Sequence, residues 1–480
     1  MTLTRFQSLT RGAADAPAVH LVTFGCQMNK YDSLLVEGRF ARKGYRVTAE
    51  LSEADVVLFN TCSVRDHAEE RVYSWVGELK RAKEENPELV IGVMGCMAQR
   101  SGDDIFRRAG HVDLVCGTRQ LQHLPEMVEE LYELRRESRS RPPRVSALSL
   151  DDDVAVERAG EPYTGGRAGF LVAMRGCDLS CTFCVVPRTR GRVLSRPIAD
   201  LVREARWMVA GGARAITLLG QTLNSYGEDL PVPAAGEPAL RGRRGRPSLA
   251  DLLYALEEVE GLARVRLITL HPAYVTRALA EALRDCSKVE RFLPLPAQSG
   301  SDDVLRRMKR GYTTDLYRAR VALLREAVPD LELGSDWIVG FPGESDADFE
   351  ATLAFAGEVG FSQGYVFKYD PRPDTAAELF QDDVPVEVKQ ERNQRLLRRV
   401  EEVALGRMEA WLGREVEALV DEPSPRRAGV VVGRTRHGLP VSLAGGAELL
   451  GREVRVAVDH ATAFGLAGRQ VIEAAALTGQ

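Results

Sequence analysis

The sequence predicts an α/β chain in three parts: an N-terminal doubly wound parallel sheet, a central open or partial (β/α)6 barrel, and a small C-terminal β-barrel. Three observations carry this. Short apolar runs alternate with helical patterns between residues 18 and 134. The alternation resumes at Phe170 and continues to Tyr369. After a charged helix, the segment from Trp411 to Ile472 shows short β-prone runs separated by glycine-rich turns. Strands alternating with helices imply parallel sheets, and short strands with frequent turns imply a small barrel.

A chain of 480 residues is too long for one ordinary domain. The expected division is 18–135, a linker over 136–162, a central domain over 163–400 and a last module over 411–472. A hydrophobic fraction of 44% is ordinary for a globular protein. The net charge of −5 makes no global electrostatic case for nucleic acid, so any such binding rests on local patches. Met1 to Pro17 has no apolar core long enough for a signal peptide and is expected to be disordered. No apolar run approaches a membrane span. The 8 cysteines show no secreted disulfide spacing. A cytoplasmic protein follows, where clustered thiols point to metal or catalysis. A monomer without membrane association is expected.

In the N-terminal part, apolar runs cover Val19–Phe24, Asp55–Phe59, Leu89–Met94 and Val112–Cys116. Helical patterns cover Ser33–Lys43, Arg65–Lys83 and Leu124–Leu134. Cys26, Cys62 and Cys96 each come just after a strand. In a parallel sheet those strand ends share one edge, where ligands bind. The alternative is three isolated buried thiols. Cys116 also ends a strand and is a rival ligand, but it lacks a flanking polar turn such as Asn60-Thr61. The arginine-rich stretch 135–144 and the acidic Asp151-Asp152-Asp153 read as linker, with phosphate contact as the alternative.

In the central part, strands are expected at Phe170–Arg175, Ala215–Leu219, Arg264–Leu270, Arg291–Leu295, Gly334–Val339 and Tyr365–Tyr369. Helices are expected at Ile198–Ala210, Leu249–Val259, Tyr274–Arg284, Thr314–Glu326 and Asp346–Val359. Cys177, Cys181 and Cys184 follow the first strand in C-x3-C-x2-C spacing. Three thiolates on one short loop can hold three corners of a 4Fe–4S cube. No fourth cysteine is near, which leaves one iron open, the mark of a catalytic rather than a structural metal site. A three-thiolate zinc site or three buried thiols are the alternatives. Polar segments follow the other strands too: Gly220-Gln221, His271-Pro272, Gln298-Ser299-Gly300 and Gly340 to Glu344. His271 is expected to pack or hydrogen-bond rather than act as a base.

Cys177 to Cys184, followed by Val185-Val186-Pro187, Arg190-Gly191 and Ser195-Arg196-Pro197, resembles the methylthiotransferase branch of the radical S-adenosylmethionine superfamily. Thr23 to Asn29, Asn60 to Arg65 and Met94 to Gln99 resemble the three N-terminal cysteine motifs of that branch. The resemblance spans about residues 18 to 470 and implies two 4Fe–4S clusters. Cys26, Cys62 and Cys96 would hold an auxiliary, sulfur-delivering cluster, leaving Cys116 and Cys286 without a role. Cys177, Cys181 and Cys184 would hold the cluster that cleaves S-adenosylmethionine, making the centre a radical-SAM barrel. The resemblance further implies a radical C–H abstraction, an external electron donor and a tRNA substrate. The motif strings look most like the branch acting on isopentenyl-adenosine in tRNA; other branches act on threonylcarbamoyl-adenosine or on an aspartate of a small-subunit ribosomal protein. A non-catalytic iron–sulfur RNA-binding protein is the reading from another class.

The last module resembles the TRAM domain, an RNA-binding barrel. Arg426, Arg427, Arg434, Arg436 and His437 cluster there and suit phosphate contacts, with a solvated loop as the alternative. Small departures from the family strings occur at Thr222, Trp337 and Asp374, and an insertion-like loop, Pro231 to Pro247, carries four arginines.

Overall fold

The computed structural model describes residues 16–62, 66–137, 142–151, 166–234 and 238–471. The N-terminal tail expected to be disordered lies outside them up to residue 15, as do Ser63 to Arg65 and most of the acidic end of the expected linker. The chain divides into two compact units. The first holds residues up to Thr164 with Arg175–Asp178 and Val185–Val193; the second holds the remainder.

The first unit is built on six parallel strands: β1 (Ala18–Phe24), β2 (Arg46–Val47), β3 (Val56–Thr61), β4 (Val90–Gly95), β5 (Leu114–Cys116) and β6 (Val145–Ala147). Their order is β2-β1-β3-β4-β5-β6. The chain winds one way from β1 to β2 and the other way from β3 onward, so β1 and β3 flank a topological switch point. Both sheet faces are covered, as the continuous apolar runs require. Val57, Phe59, Ile91 and Val93 pack with Val72, Val76 and Leu79 of helix Asp66–Glu85. Val56, Leu58, Val90 and Leu114 pack on the other face with Phe40, Leu124 and Val128. One expectation is corrected here. The segment 136–162 is not linker throughout, because Val145–Ala147 pairs with β5 as a sixth strand. Arg135 ion-pairs Asp113 at 2.9 Å and Arg144 donates to the Gly110 carbonyl, so two arginines of that stretch fasten the sheet edge.

In the second unit six parallel strands make the partial barrel. Ala168–Val172, Ala215–Leu219 and Arg264–Leu267 form one triplet, and Phe292–Pro294, Glu332–Val339 and Gln363–Lys368 the other. A single parallel bridge, Val265 to Val289, continues the order between them. Side-chain caps set the helix starts. Ser248, Thr276, Ser301, Thr313 and Ser345 each accept a backbone N–H of the first turn, and Ser248 and Ser345 close capping boxes with Asp251 and Asp348.

Helix Val386–Glu409 leads to a closed five-stranded barrel of Glu415–Pro423, Val430–Thr435, Pro440–Ala444, Gly465–Gln470 and Glu453–Thr462. Its core includes Val420, Val431, Val441, Leu443 and Val456. Buried charges join it to the partial barrel. Arg266 ion-pairs Glu290 at 2.7 Å and reaches Asp421 of the small barrel at 3.0 Å. His437 meets Asp330 at 2.9 Å and packs its ring against Trp411. Among the described residues no helix is long and apolar enough to cross a membrane.

Burial pushes the Glu290 carboxyl up, and Arg266 opposes that shift. Arg266→Met therefore leaves a buried carboxylate without its cation and should destabilise the second unit by about 3–5 kcal/mol. Adding Glu290→Gln should recover most of the loss. Thermal unfolding of the three full-length proteins by calorimetry measures both.

Candidate metal centres and cofactor face

Strand register assembles the N-terminal cysteines. Phe24 pairs with Thr61, and Thr61 pairs with Gly95. Cys62 and Cys96 are the residues that follow these partners, and Cys26 lies two beyond Phe24. Three chain reversals thus leave the sheet at one level. A Cβ on Gly25 would meet Cys62 Cβ at 2.8 Å, so the first cysteine loop runs directly against the second. A polar clasp holds them. Asn29 Oδ1 accepts from the Cys26 backbone N–H at 3.3 Å and from Cys26 Sγ at 3.2 Å. Asn29 Nδ2 donates to Asn60 Oδ1 at 2.9 Å, and Asn60 Nδ2 donates back to the Asn29 carbonyl at 2.8 Å and to Ser33 Oγ at 3.0 Å. Both asparagines are fully buried and each amide is paired.

The electrostatics favour a thiolate at Cys26. A hydrogen bond from Cys62 is the largest influence on Cys26; burial opposes it, and Arg190 with nearby backbone groups assists, so the Cys26 thiol falls to about 5. Burial pushes Cys96 up, and Arg190 partly offsets this. Cys116 lies in the apolar core, wholly buried, and burial pushes its thiol far up. Cys286 is likewise buried, with its thiol pushed up to about 12 chiefly by burial. All eight cysteines are free of disulfides.

Cys177 follows Gly176, whose φ of +74° and contact with the Arg192 carbonyl leave no room for a side chain. The Cys177 N–H donates to the Gly191 carbonyl at 3.1 Å. Cys181 and Cys184 are set by other segments. Thr182 N–H donates to the Met308 carbonyl at 3.1 Å, and its carbonyl accepts from Ala377 at 2.8 Å. The Arg310 guanidinium donates to Cys181 Sγ at 3.3 Å and to Tyr312 Oη at 3.4 Å. Arg310 is itself buried. Among the described residues no three His, Cys, Asp or Glu side chains are grouped as ligands of a single ion. A 4Fe–4S cube attaches its thiolates to different irons and so takes more widely spaced ligands. The donor set, all thiol with an arginine beside each trio, suits such clusters.

The barrel strand ends form a polar face. Asn224 and His271 exchange two hydrogen bonds, Nδ2 to the His271 carbonyl and the His271 N–H to Oδ1, each 2.9 Å. His271 Nδ1 accepts from the Ala273 N–H at 3.3 Å. Burial first, then Arg310, drives the His271 imidazole down to about 3, so it is neutral and a poor proton acceptor at physiological pH. Thr269 and Gln298 hold positive φ without being glycine, and both lie just past barrel strands. Such strain collects at functional faces. Glu344 ties the Gly340 loop down, accepting from Gly340 N–H at 3.0 Å and from Arg392 at 2.9 Å.

Sequence reasoning did not single out Asn29, Asp32, Arg190 or Arg310 as individual residues. Asn29 and Arg190 stand inside the motif strings given above. For Asp32 the sequence carries no signal.

Three family models match in series: Uncharacterized protein family UPF0004 over residues 18–117, the Radical SAM superfamily over 171–356 and the TRAM domain over 410–471. Two solved radical S-adenosylmethionine enzymes share the fold. TsrM from Kitasatospora setae superposes with a TM-score of 0.51 at 15% identity, covering 73% of each chain. OxsB superposes with a TM-score of 0.50 at 13% identity, covering 80% of this chain and 56% of that one. Together these define a radical S-adenosylmethionine protein, which brings S-adenosylmethionine and a 4Fe–4S cluster as cofactors. Closer relatives narrow the class. The tRNA-2-methylthio-N(6)-dimethylallyladenosine synthase of Xanthomonas campestris pv. campestris (strain B100) is 39% identical over 468 residues, 95% of this chain and 93% of the relative. Those of Bordetella avium (strain 197N) and Alkaliphilus oremlandii (strain OhILAs) are 39% and 37% identical over 95% and 94% of this chain and 93% and 92% of theirs. The chain belongs to this synthase family.

In reduced, metal-free protein at pH 7, Cys26 should be alkylated by iodoacetamide well before Cys96 and Cys116, with a rate that falls as pH drops through about 5. Peptide mass spectrometry reads each site. Equal rates at the three positions would contradict the electrostatics described.

Proposed function

We propose that this protein transfers a methylthio group to C2 of an N6-isopentenyl (dimethylallyl) adenosine beside the anticodon of tRNA, in the cytoplasm. The observation that carries this is 39% identity along 95% of the chain to a synthase named for that product. Both cysteine trios support it. An aromatic C–H bond lies beyond acid–base chemistry at neutral pH, so a cofactor must carry the step. When bound, a 4Fe–4S cluster with S-adenosylmethionine supplies one-electron cleavage and hydrogen abstraction from carbon.

The protein's own groups bind and orient. Cys177, Cys181 and Cys184 would hold one cluster, and three thiolates would leave it a position for the cosubstrate. Arg310 fixes the Cys181 sulfur and offsets its charge. Cys26, Cys62 and Cys96 would hold the auxiliary cluster, which would supply the sulfur. The neutral His271 orients through hydrogen bonds and takes no proton. Exposed Arg426 and Arg427 on the TRAM barrel meet the tRNA backbone. An external electron donor completes the reaction.

Expression in a bacterial strain lacking its own synthase tests the reading. Nucleoside mass spectrometry should show the 2-methylthio group restored on isopentenyl-adenosine. Unmodified isopentenyl-adenosine beside iron-loaded protein, or a mass gain on a ribosomal protein instead, would sink it.

A second measurement tests the division of labour. The C26A/C62A/C96A protein should keep about half the iron and sulfide. It should still make 5′-deoxyadenosine from S-adenosylmethionine and dithionite, but no methylthio product. Iron content equal to the unmodified protein would contradict the auxiliary assignment.

A further inference from the structure

Arg190 is a buried charge that no step above uses. It ends the short helix Val186–Arg190 and is 4% exposed. Its Nη2 donates to Asp32 Oδ2 at 2.8 Å, and Asp32 is fully buried on the helix that Cys26 caps. A second guanidinium, Arg175, stands 3.5 Å from the other oxygen, Asp32 Oδ1. Two cations therefore share one carboxylate, which leaves one positive charge in surplus. An uncompensated charge in a protein interior is strongly unfavourable. After Asp32, the charges that act most on Arg190 are the sulfurs of Cys96 and Cys26. The helix that Arg190 ends packs against the short helix Cys96–Ser101, whose first residue is Cys96.

The setting is rigid. Arg119 Nε donates to the Arg190 carbonyl at 3.2 Å, and Thr118 Oγ1 donates to the Thr189 carbonyl at 2.5 Å. A Cβ at Gly191 would strike the Arg119 guanidinium, so the chain turns there only as glycine, at φ +73°. A long flexible side chain is thus held in place by Asp32, on a helix packed against the one that Cys96 begins. Lysine in its place would keep the charge but lose the planar fork that grips Asp32.

We propose that Arg190, oriented by Asp32, is the positioning residue that compensates the charge of the auxiliary cluster on Cys26, Cys62 and Cys96 and so favours its reduced form. This rests on the two-cluster reading above. One-electron reduction adds a negative charge to the cluster, and a fixed cation beside its sulfurs stabilises that state in a low-dielectric site. The same charge favours assembly, because three thiolates must gather before iron arrives.

The test uses full-length C177A/C181A/C184A protein, which should carry the auxiliary cluster alone. Iron and sulfide analysis comes first. A parent without iron would overturn the auxiliary-cluster reading itself, separately from any role of Arg190. In an iron-loaded parent, Arg190→Met should lower the one-electron reduction equilibrium about tenfold, a midpoint about 59 mV more negative by spectroelectrochemical titration. Arg190→Lys should stay within about threefold of the parent, because charge is what the site requires. Failure of R190M to take up iron, with R190K loading normally, supports the same role at the assembly step. An unchanged midpoint in R190M, equal shifts in both variants, or equal loss of iron in both would overturn the proposal. A purely structural arginine would leave the midpoint unmoved.

Discussion

The parallel register of β1, β3 and β4 is the constraint on which the rest depends. A strand that slips by one residue turns every side chain to the opposite face. Here both faces are core, so a slip would break apolar packing on two sides at once. The register that packing enforces is also the one that ends three strands at a common level. Cysteine placement is therefore a by-product of hydrophobic burial, and the thiols need no attraction for one another to meet. The Asn29–Asn60 exchange then sets the loops at finer scale. Each buried amide satisfies the other, and removing either would leave unpaired polar groups, a larger penalty than the loss of one ordinary hydrogen bond.

Gathering thiolates creates a second constraint, because like charges in a low dielectric repel strongly. Each trio has a buried guanidinium in its neighbourhood. Arg310 reaches Cys181 directly, with Tyr312 on its flank. Arg190 sits on a helix packed against Cys96–Ser101 and is steadied by Asp32, on the helix that Cys26 caps. Arginine suits both positions because it stays charged and offers several fixed donors, so one side chain can hold a partner and face a sulfur together. The neutral His271 follows from the same economy of charge. A protonated imidazole beside Arg310 would add repulsion, and burial with Arg310 removes that proton.

The fold was legible wherever periodicity was long. Helices Ile198–Ala210 and Asp346–Val359 occur with the bounds their apolar spacing predicts. The helix expected from Ser33 instead begins at Gln27, because Cys26 caps it and a cysteine is not a usual cap signal. Strand Val145–Ala147 was read as linker because three residues among arginines and prolines carry no period. Strand Gly465–Gln470 carries little strand signal of its own, since its glycines and polar end mimic a turn. At the sites, the cysteines were legible because the residue type itself carries the chemistry. The Asp32–Arg190 pair was not, because its members stand 158 positions apart and each alone looks like an ordinary surface charge.

The basic cluster of the small barrel shows the same limit from the other side. Five basic residues close in sequence read as a single phosphate-binding patch, yet folding assigns them different work. His437 is turned inward to Asp330 and Trp411, and Arg434 donates to the Gly438 carbonyl at 3.0 Å. The Arg436 carbonyl accepts from the Arg291 N–H at 2.8 Å, which commits that backbone to the junction with the partial barrel. Arg426 and Arg427 stay exposed on the turn before strand Val430–Thr435. A local charge count therefore overstates the surface offered to a polyanion. A guanidinium engaged with a carbonyl has fewer donors left for a polyanion, whereas Arg426 and Arg427 stand on an exposed turn, and His437 with the Arg436 backbone holds the module in place.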